Sequence, residues 1–175
     1  MELISYILSG LSLASVIVAS LIKGKNLKLI LLFMFAANFL IALNYFITDG
    51  INGAATCFLG AILTIINYFF NRKDKKIPTW LNVCYLIVLT TVNIIVAEGI
   101  SWLGLLVIFA SFAFIMSVAQ ENGKAFRFWT VLNVVTWCVY DMFAGLYAPL
   151  MQHTLHLLFT VAGMVIFDLK RKKEI

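Results

Sequence analysis

Charge is scarce in this sequence: 12% of its 175 residues are Asp, Glu, Lys or Arg, against 63% hydrophobic residues and a mean hydropathy of +1.01. A soluble domain of this length leaves much of its surface to water, and here too few polar groups exist to cover it. The chain therefore needs lipid as its solvent. Its two prolines, Pro78 and Pro149, fall outside the interiors of the apolar segments, which removes proline hinges as a source of motion. The three cysteines, Cys57, Cys84 and Cys138, have no CxxC or metal-ligand spacing and read as small apolar packing residues. Catalytic motifs are missing too. No HExxH, no GxSxG, no P-loop and no credible acid pair occurs, so the chain is read as no enzyme and as no pumping ATPase. No stretch is left for a soluble domain, which argues against nucleic-acid binding, and neither cofactor nor metal is expected. Residues 1–5 hold Glu2 but no Lys or Arg, so the first apolar segment is expected to be retained rather than cleaved.

What is abundant is apolar sequence in blocks of membrane-crossing length, about 20 residues for a core roughly 30 Å thick. Seven spans are predicted, over residues 3–22, 29–46, 54–70, 80–97, 102–119, 128–146 and 149–167. All 13 Lys and Arg residues lie in alternate gaps. Lys23, Lys25 and Lys28 follow the first span; Arg72, Lys73, Lys75 and Lys76 follow the third; Lys124 and Arg127 follow the fifth; Lys170, Arg171, Lys172 and Lys173 follow the last. The other gaps hold Asp49 and Glu98. Cationic loops resist translocation, so the N-terminus is expected outside and the C-terminus inside. The net charge of +5 is explained by this orientation and requires no anionic partner. The bilayer itself is the first partner expected; association of the chain with itself is left open.

The most charged connection divides the chain into three spans and four. Three-span units can repeat in the same orientation only if one extra helix inverts the chain between them, which gives a parallel 3+1+3 arrangement. The expected units are residues 1–76, an inverting helix within 77–100, and residues 101–175. At an offset of 97, FNRKDKK from Phe70 falls on FDLKRKK from Phe167, Asn44 on Asp141, Phe46 on Phe143, Thr56 on His153 and Ser20 on Ser117.

The length, the seven spans and the segment WCVYDMFAG from Trp137 to Gly145, with the polar and small residues up to Thr154, resemble the YgjV-type bacterial inner membrane proteins. Tyr140 and Asp141 depart from that family's pattern, in which a His-Asn pair is common, as does Leu63, where a basic residue can occur. The 3+1+3 layout resembles, more distantly, the SWEET sugar facilitators and the PnuC vitamin transporters. These resemblances imply an inner membrane location and, through the distant relatives, movement of a small polar solute such as a sugar or vitamin.

Polar residues inside the spans are the candidates for a site, because an Asp at the centre of a span costs about 2.5 to 3.5 kcal/mol. Asp141 lies fourteen residues beyond Arg127, roughly 21 Å across the core. Either it serves a polar solute or a proton, or the sixth helix ends early and Asp141 meets water. On the same helix Asn133, Thr136, Trp137, Tyr140 and Ala144 share one face, which suits either a cavity or a seam between helices. His153, His156 and Thr160 form a stripe on the seventh span, and Thr56, Gly60, Thr64 and Asn67 one on the third. Asn38 is the mid-membrane candidate on the second, while Asn44, Asn82 and Asn93 suit packing. The expected solute site comprises Asn38 and Asn133 for orientation, Trp137 and Tyr140 for stacking, and Asp141 and His153 for polar or proton-linked recognition. The other reading is a receptor or assembly module whose polar stripes only hold helices together.

Overall fold

Why the apolar blocks fold as helices follows from the solvent: in hydrocarbon each backbone N–H and C=O must be satisfied within its own segment. A computed structural model describes residues 2–22, 26–96, 101–120 and 123–169. It contains helices α1 (Glu2–Leu21), α2 (Leu27–Ile47), α3 (Ile51–Arg72), α4 (Thr79–Val96), α5 (Trp102–Val118), α6 (Gly123–Ala144) and α7 (Tyr147–Met164), the last continued by a π-helical turn, Val165–Leu169. Among the described residues there is no strand. Lys23, Lys25, Glu98 and Lys170 to Lys173 lie outside the described residues.

Among the described residues five helices, α1 to α4 and α7, are long and apolar enough to cross a membrane. At 17 residues α5 is apolar but shorter, and α6, 22 residues long, carries Lys124, Arg127 and Asp141. The sixth span was expected to begin at Phe128; the helix begins at Gly123, so Lys124 and Arg127 belong to it rather than to a loop. Arg127 is tolerated there because it has a partner. Its guanidinium donates from Nε and from an Nη to the two carboxylate oxygens of Asp168, at 2.9 and 2.6 Å, and it lies over the Phe167 ring. Both side chains are buried, so this fork fixes the end of α7 against α6.

Six helices close a ring in the order α1, α2, α3, α5, α6, α7, with α7 returning to α1. The fourth helix leans on the seam between α3 and α5 and buries only Leu89 and Asn93. Shifting the first three helices by 97 residues brings the ends of α2 and α3 within one residue of the ends of α6 and of α7 with its π turn. The same shift exchanges the α1–α7 contact with the α5–α3 contact.

Small polar side chains make the seams. Ser5, Ser9 and Ser12 form a buried stripe along α1: Ser5 Oγ donates to Asn44 Oδ1 (2.5 Å), Asn44 Nδ2 donates to Ser9 Oγ (2.6 Å), and Ser12 Oγ donates to the Ala37 carbonyl (3.0 Å). Ser20 meets Thr160 at 3.3 Å, and a Cβ on Gly163 would stand 2.9 Å from the Ser20 carbonyl, so α1 and α7 touch backbone to backbone. Asn93 accepts from Thr56 at 2.6 Å and so binds α4 to the ring.

Arg127→Ala leaves Asp168 buried and unpaired, and is expected to cost about 3 to 5 kcal/mol. Replacing both partners by Leu is expected to recover most of that loss. Unfolding of the purified protein in detergent measures both; a harmless Arg127→Ala would show that the pair holds nothing.

Candidate functional site

Helix ends on one side of the ring build the site's most polar point. At the end of α2, Gly50 N–H donates to the Tyr45 carbonyl at 2.8 Å while Asp49 takes a left-handed φ of 60°; at the end of α6, Leu146 N–H donates to the Asp141 carbonyl at 2.9 Å while Gly145 takes a φ of 72°. Both are left-handed C-caps, on Asp49 and on Gly145, that satisfy carbonyls the helix cannot. They bring Tyr45 and Asp141, each one turn inside its helix, to face each other.

Asp141 is fully buried. Its Oδ1 accepts from the Tyr45 hydroxyl at 2.5 Å and its Oδ2 pairs with His153 Nδ1 at 2.7 Å. The idea that α6 ends early and lets Asp141 meet water is therefore corrected: α6 continues to Ala144 and the carboxylate is enclosed by α2 and α7. Opposite a carboxylate, His153 Nδ1 takes the donor role. Aromatic rings hold these groups in place. Trp137 stacks on His153 with centroids 5.8 Å apart and planes 15° apart, and Tyr45 packs 5.7 Å from Trp137. The Tyr45 ring fits only because Gly50 and Gly53 lack side chains: a Cβ would stand 2.9 and 2.8 Å from it, respectively.

One turn along, a central cavity of about 40 Å³ lies at the axis of the ring. Every helix reaches it, among them α1 with Ser12, α2 with Asn38, α3 with Thr56 and Gly60, α4 with Leu89, α5 with Ser111, α6 with Asn133 and Trp137, and α7 with Gln152, His153 and His156. At about 10 to 15 Å³ per water the space suits roughly three. Gln152 Oε1 and His156 Nε2, both on lining residues, are buried without a hydrogen-bond partner.

Of the residues expected in the site, Asn38, Asn133, Trp137 and His153 line this cavity. Two of their amides also carry packing bonds: Asn38 Nδ2 donates to the Met34 carbonyl in its own helix, and Asn133 Nδ2 donates to the Ala110 carbonyl of α5, both at 2.8 Å. Tyr140 and Asp141 are not among the lining residues. Tyr140 stands edge-on against Trp137 at 5.4 Å and 87°, and Asp141 reaches the cavity through His153. Thr64 and Asn67, on the α3 stripe, also stay out of it. Sequence reasoning passed over Tyr45, Gln152 and the α1 serines. The signal for Tyr45 was its place on the face of Asn38 and Ala42, and for the serines their spacing of four and three residues.

The arrangement belongs to a polytopic helical membrane protein with polar groups turned to its centre. A model of the bacterial inner membrane protein family Imp-YgjV matches residues 3–171, and the chain belongs to that family. It is thus a multi-pass protein of the bacterial inner membrane, in contact with the lipid bilayer. No curated protein and no solved structure matches it.

Tyr45→Phe deprives a buried carboxylate of one donor and is expected to cost about 1 to 3 kcal/mol. Gly53→Ala, which forces the Tyr45 ring aside, is expected to cost a similar amount by overpacking, about 1 to 3 kcal/mol. Denaturation of the purified variants measures both; two neutral results would mean that Tyr45 is not held as described.

Proposed function

We propose that this protein is a facilitator or secondary transporter of a small polar solute, and that the central cavity is its solute site in a contracted state. The observation that carries this reading is the pairing of unpartnered buried polar atoms, on Gln152 and His156, with a cavity that every helix lines. Polar groups buried without partners are costly, and a site that accepts a hydrogen-bonding solute gives them a use. Trp137 supplies a flat face, Asn38 and Asn133 supply amides, and His153, oriented by Asp141, supplies a ring nitrogen.

The closures at the two ends suit alternating access. Tyr45–Asp141–His153 ties α2, α6 and α7 at one end, and Arg127–Asp168 with the Ser20–Gly163 contact ties α1, α6 and α7 at the other. In this proposal the two three-helix units, residues 1–76 and 101–175, move against each other about the cavity, with α4 as the inverting helix. The Tyr45 end faces outward. Reporter fusions test that orientation: a cytoplasm-dependent fluorescent reporter is expected to work at the C-terminus, and a phosphatase that needs export is expected to work when fused at Asp49. The reverse pattern would invert the proposed topology.

The small size of the cavity favours a second reading, a receptor or assembly module whose polar seams serve packing alone. Ligand binding separates the two. At 100 times its dissociation constant a solute adds about 2.7 kcal/mol of stability. A panel of sugars, nucleosides, vitamins and amino acids is expected to yield a stabilising compound whose effect is lost in Trp137→Ala and Asp141→Asn. A flat panel with well-folded protein would favour the module.

A further inference from the structure

Between α3 and α4, away from the ring axis, runs an apolar groove of about 270 Å³. Leu59, Ile62 and Leu63 form its α3 wall, and Leu81, Tyr85 and Val88 form its α4 wall. The chain itself does not fill it, since α4 buries only Leu89 and Asn93. In a membrane protein such a groove faces acyl chains, and its occupant is identified by what lies at its end.

Toward the α3–α4 connection the chemistry changes in a fixed order. One turn beyond Leu63, Asn67 is fully buried; its Oδ1 accepts from the Tyr85 hydroxyl at 3.4 Å and its Nδ2 has no partner. Asn82, beside Leu81, has a buried Oδ1 without a partner. Beyond these amides Arg72, Lys73 and Lys75 stand exposed at the end of α3 and in the connection. The acid between them, Asp74, is engaged by Lys28 of α2 at 3.1 Å, so the cationic field of this connection is not cancelled locally. Leu59 lies thirteen residues before Arg72, roughly 20 Å along the helix axis, against about 15 Å for half the hydrocarbon core.

Apolar wall, amide and hydroxyl, then cation is the sequence of an acyl chain, its glycerol ester and a phosphate. We propose that the α3–α4 groove and the basic connection bind one anionic glycerophospholipid of the surrounding bilayer. The chain lies along Leu63 and Val88, the ester region meets the Tyr85 hydroxyl, behind which Asn67 is buried, and the phosphate meets Arg72, Lys73 and Lys75. Basic pockets between helices at the membrane surface recognise anionic headgroups in this way. The bound lipid completes the contact of α4 with the ring, which its own side chains leave sparse. None of this depends on whether the central cavity takes a solute.

Cys84, exposed on the groove, provides the reporter. A small fluorophore is attached to Cys84 in a Cys57→Ala, Cys138→Ala background and the protein is placed in phosphatidylcholine nanodiscs. Brominated phosphatidylglycerol or brominated phosphatidylcholine is then added in increasing fraction. The proposal expects half-maximal quenching at a roughly tenfold lower fraction of the anionic lipid, and equal quenching by the two in the Arg72→Gln, Lys73→Gln, Lys75→Gln variant. High salt is expected to shrink the preference in the unaltered connection, a check that needs no folded variant. Equal quenching by both lipids at low salt would reduce the groove to bulk-lipid contact and overturn the proposal. Protection of Cys84 from both lipids, with crosslinking between chains there, would overturn it in favour of a second copy.

Discussion

A carboxylate buried among apolar helices is costly unless it is paired, and Asp141 has two named partners, the Tyr45 hydroxyl and the His153 ring. Much of the bundle's geometry serves this one group. The C-caps of α2 and α6 turn Tyr45 and Asp141 toward each other, Gly50 and Gly53 clear space for the Tyr45 ring, and Trp137 lies flat on His153. Because the partners come from α2, α6 and α7, a single side chain joins both halves of the ring. Removing either donor leaves an acceptor of a fully buried carboxylate without its partner.

Polarity in this protein is spent at seams and at one cavity. Serines on α1 and the Thr56–Asn93 pair bring helices close, in the manner expected where apolar surfaces alone give no preference between neighbour and lipid. At the cavity the polar atoms of Gln152 and His156 remain unsatisfied, as does Asn93 Nδ2 at the seam of α3 and α4. An unsatisfied group that costs stability is a reason to look for a function at that point, and the proposed solute site rests on two such groups lining one cavity that every helix reaches. The lipid proposed at α3–α4 uses the same logic on the outer surface, at Asn67 behind the Tyr85 hydroxyl.

The apolar blocks made the all-helical fold legible, and their ends fall within about three residues of the helix ends except at the start of α6, where charge was taken as a boundary. Reading charge as a boundary placed Arg127 in a loop; the helix runs through it because Asp168, far along the chain, neutralises it. Site chemistry was legible in part: Asn133 and Trp137 stand out as polar or aromatic groups on one face of a span, whereas Tyr45 shares a face with Asn38 and Ala42 without revealing its partner. Pairings between helices, such as Tyr45 with Asp141 or Asn44 with Ser5 and Ser9, depend on which helices become neighbours, and a periodic pattern does not encode that. Tyr140 shares the stripe and Asp141 flanks it, but neither lines the cavity, since a helical face is wider than the space it looks into.

The central claim is that one carboxylate joins Tyr45 and His153, and a double-mutant cycle measures that joint dependence. Unfolding free energies of Tyr45→Phe, His153→Gln and the double variant are compared, first with Asp141 present and then in an Asp141→Asn background. Groups sharing one acceptor are expected to couple by about 0.5 to 3 kcal/mol with Asp141 in place and much less without it. Additive effects in the presence of Asp141, or coupling undiminished by its replacement, would contradict the account.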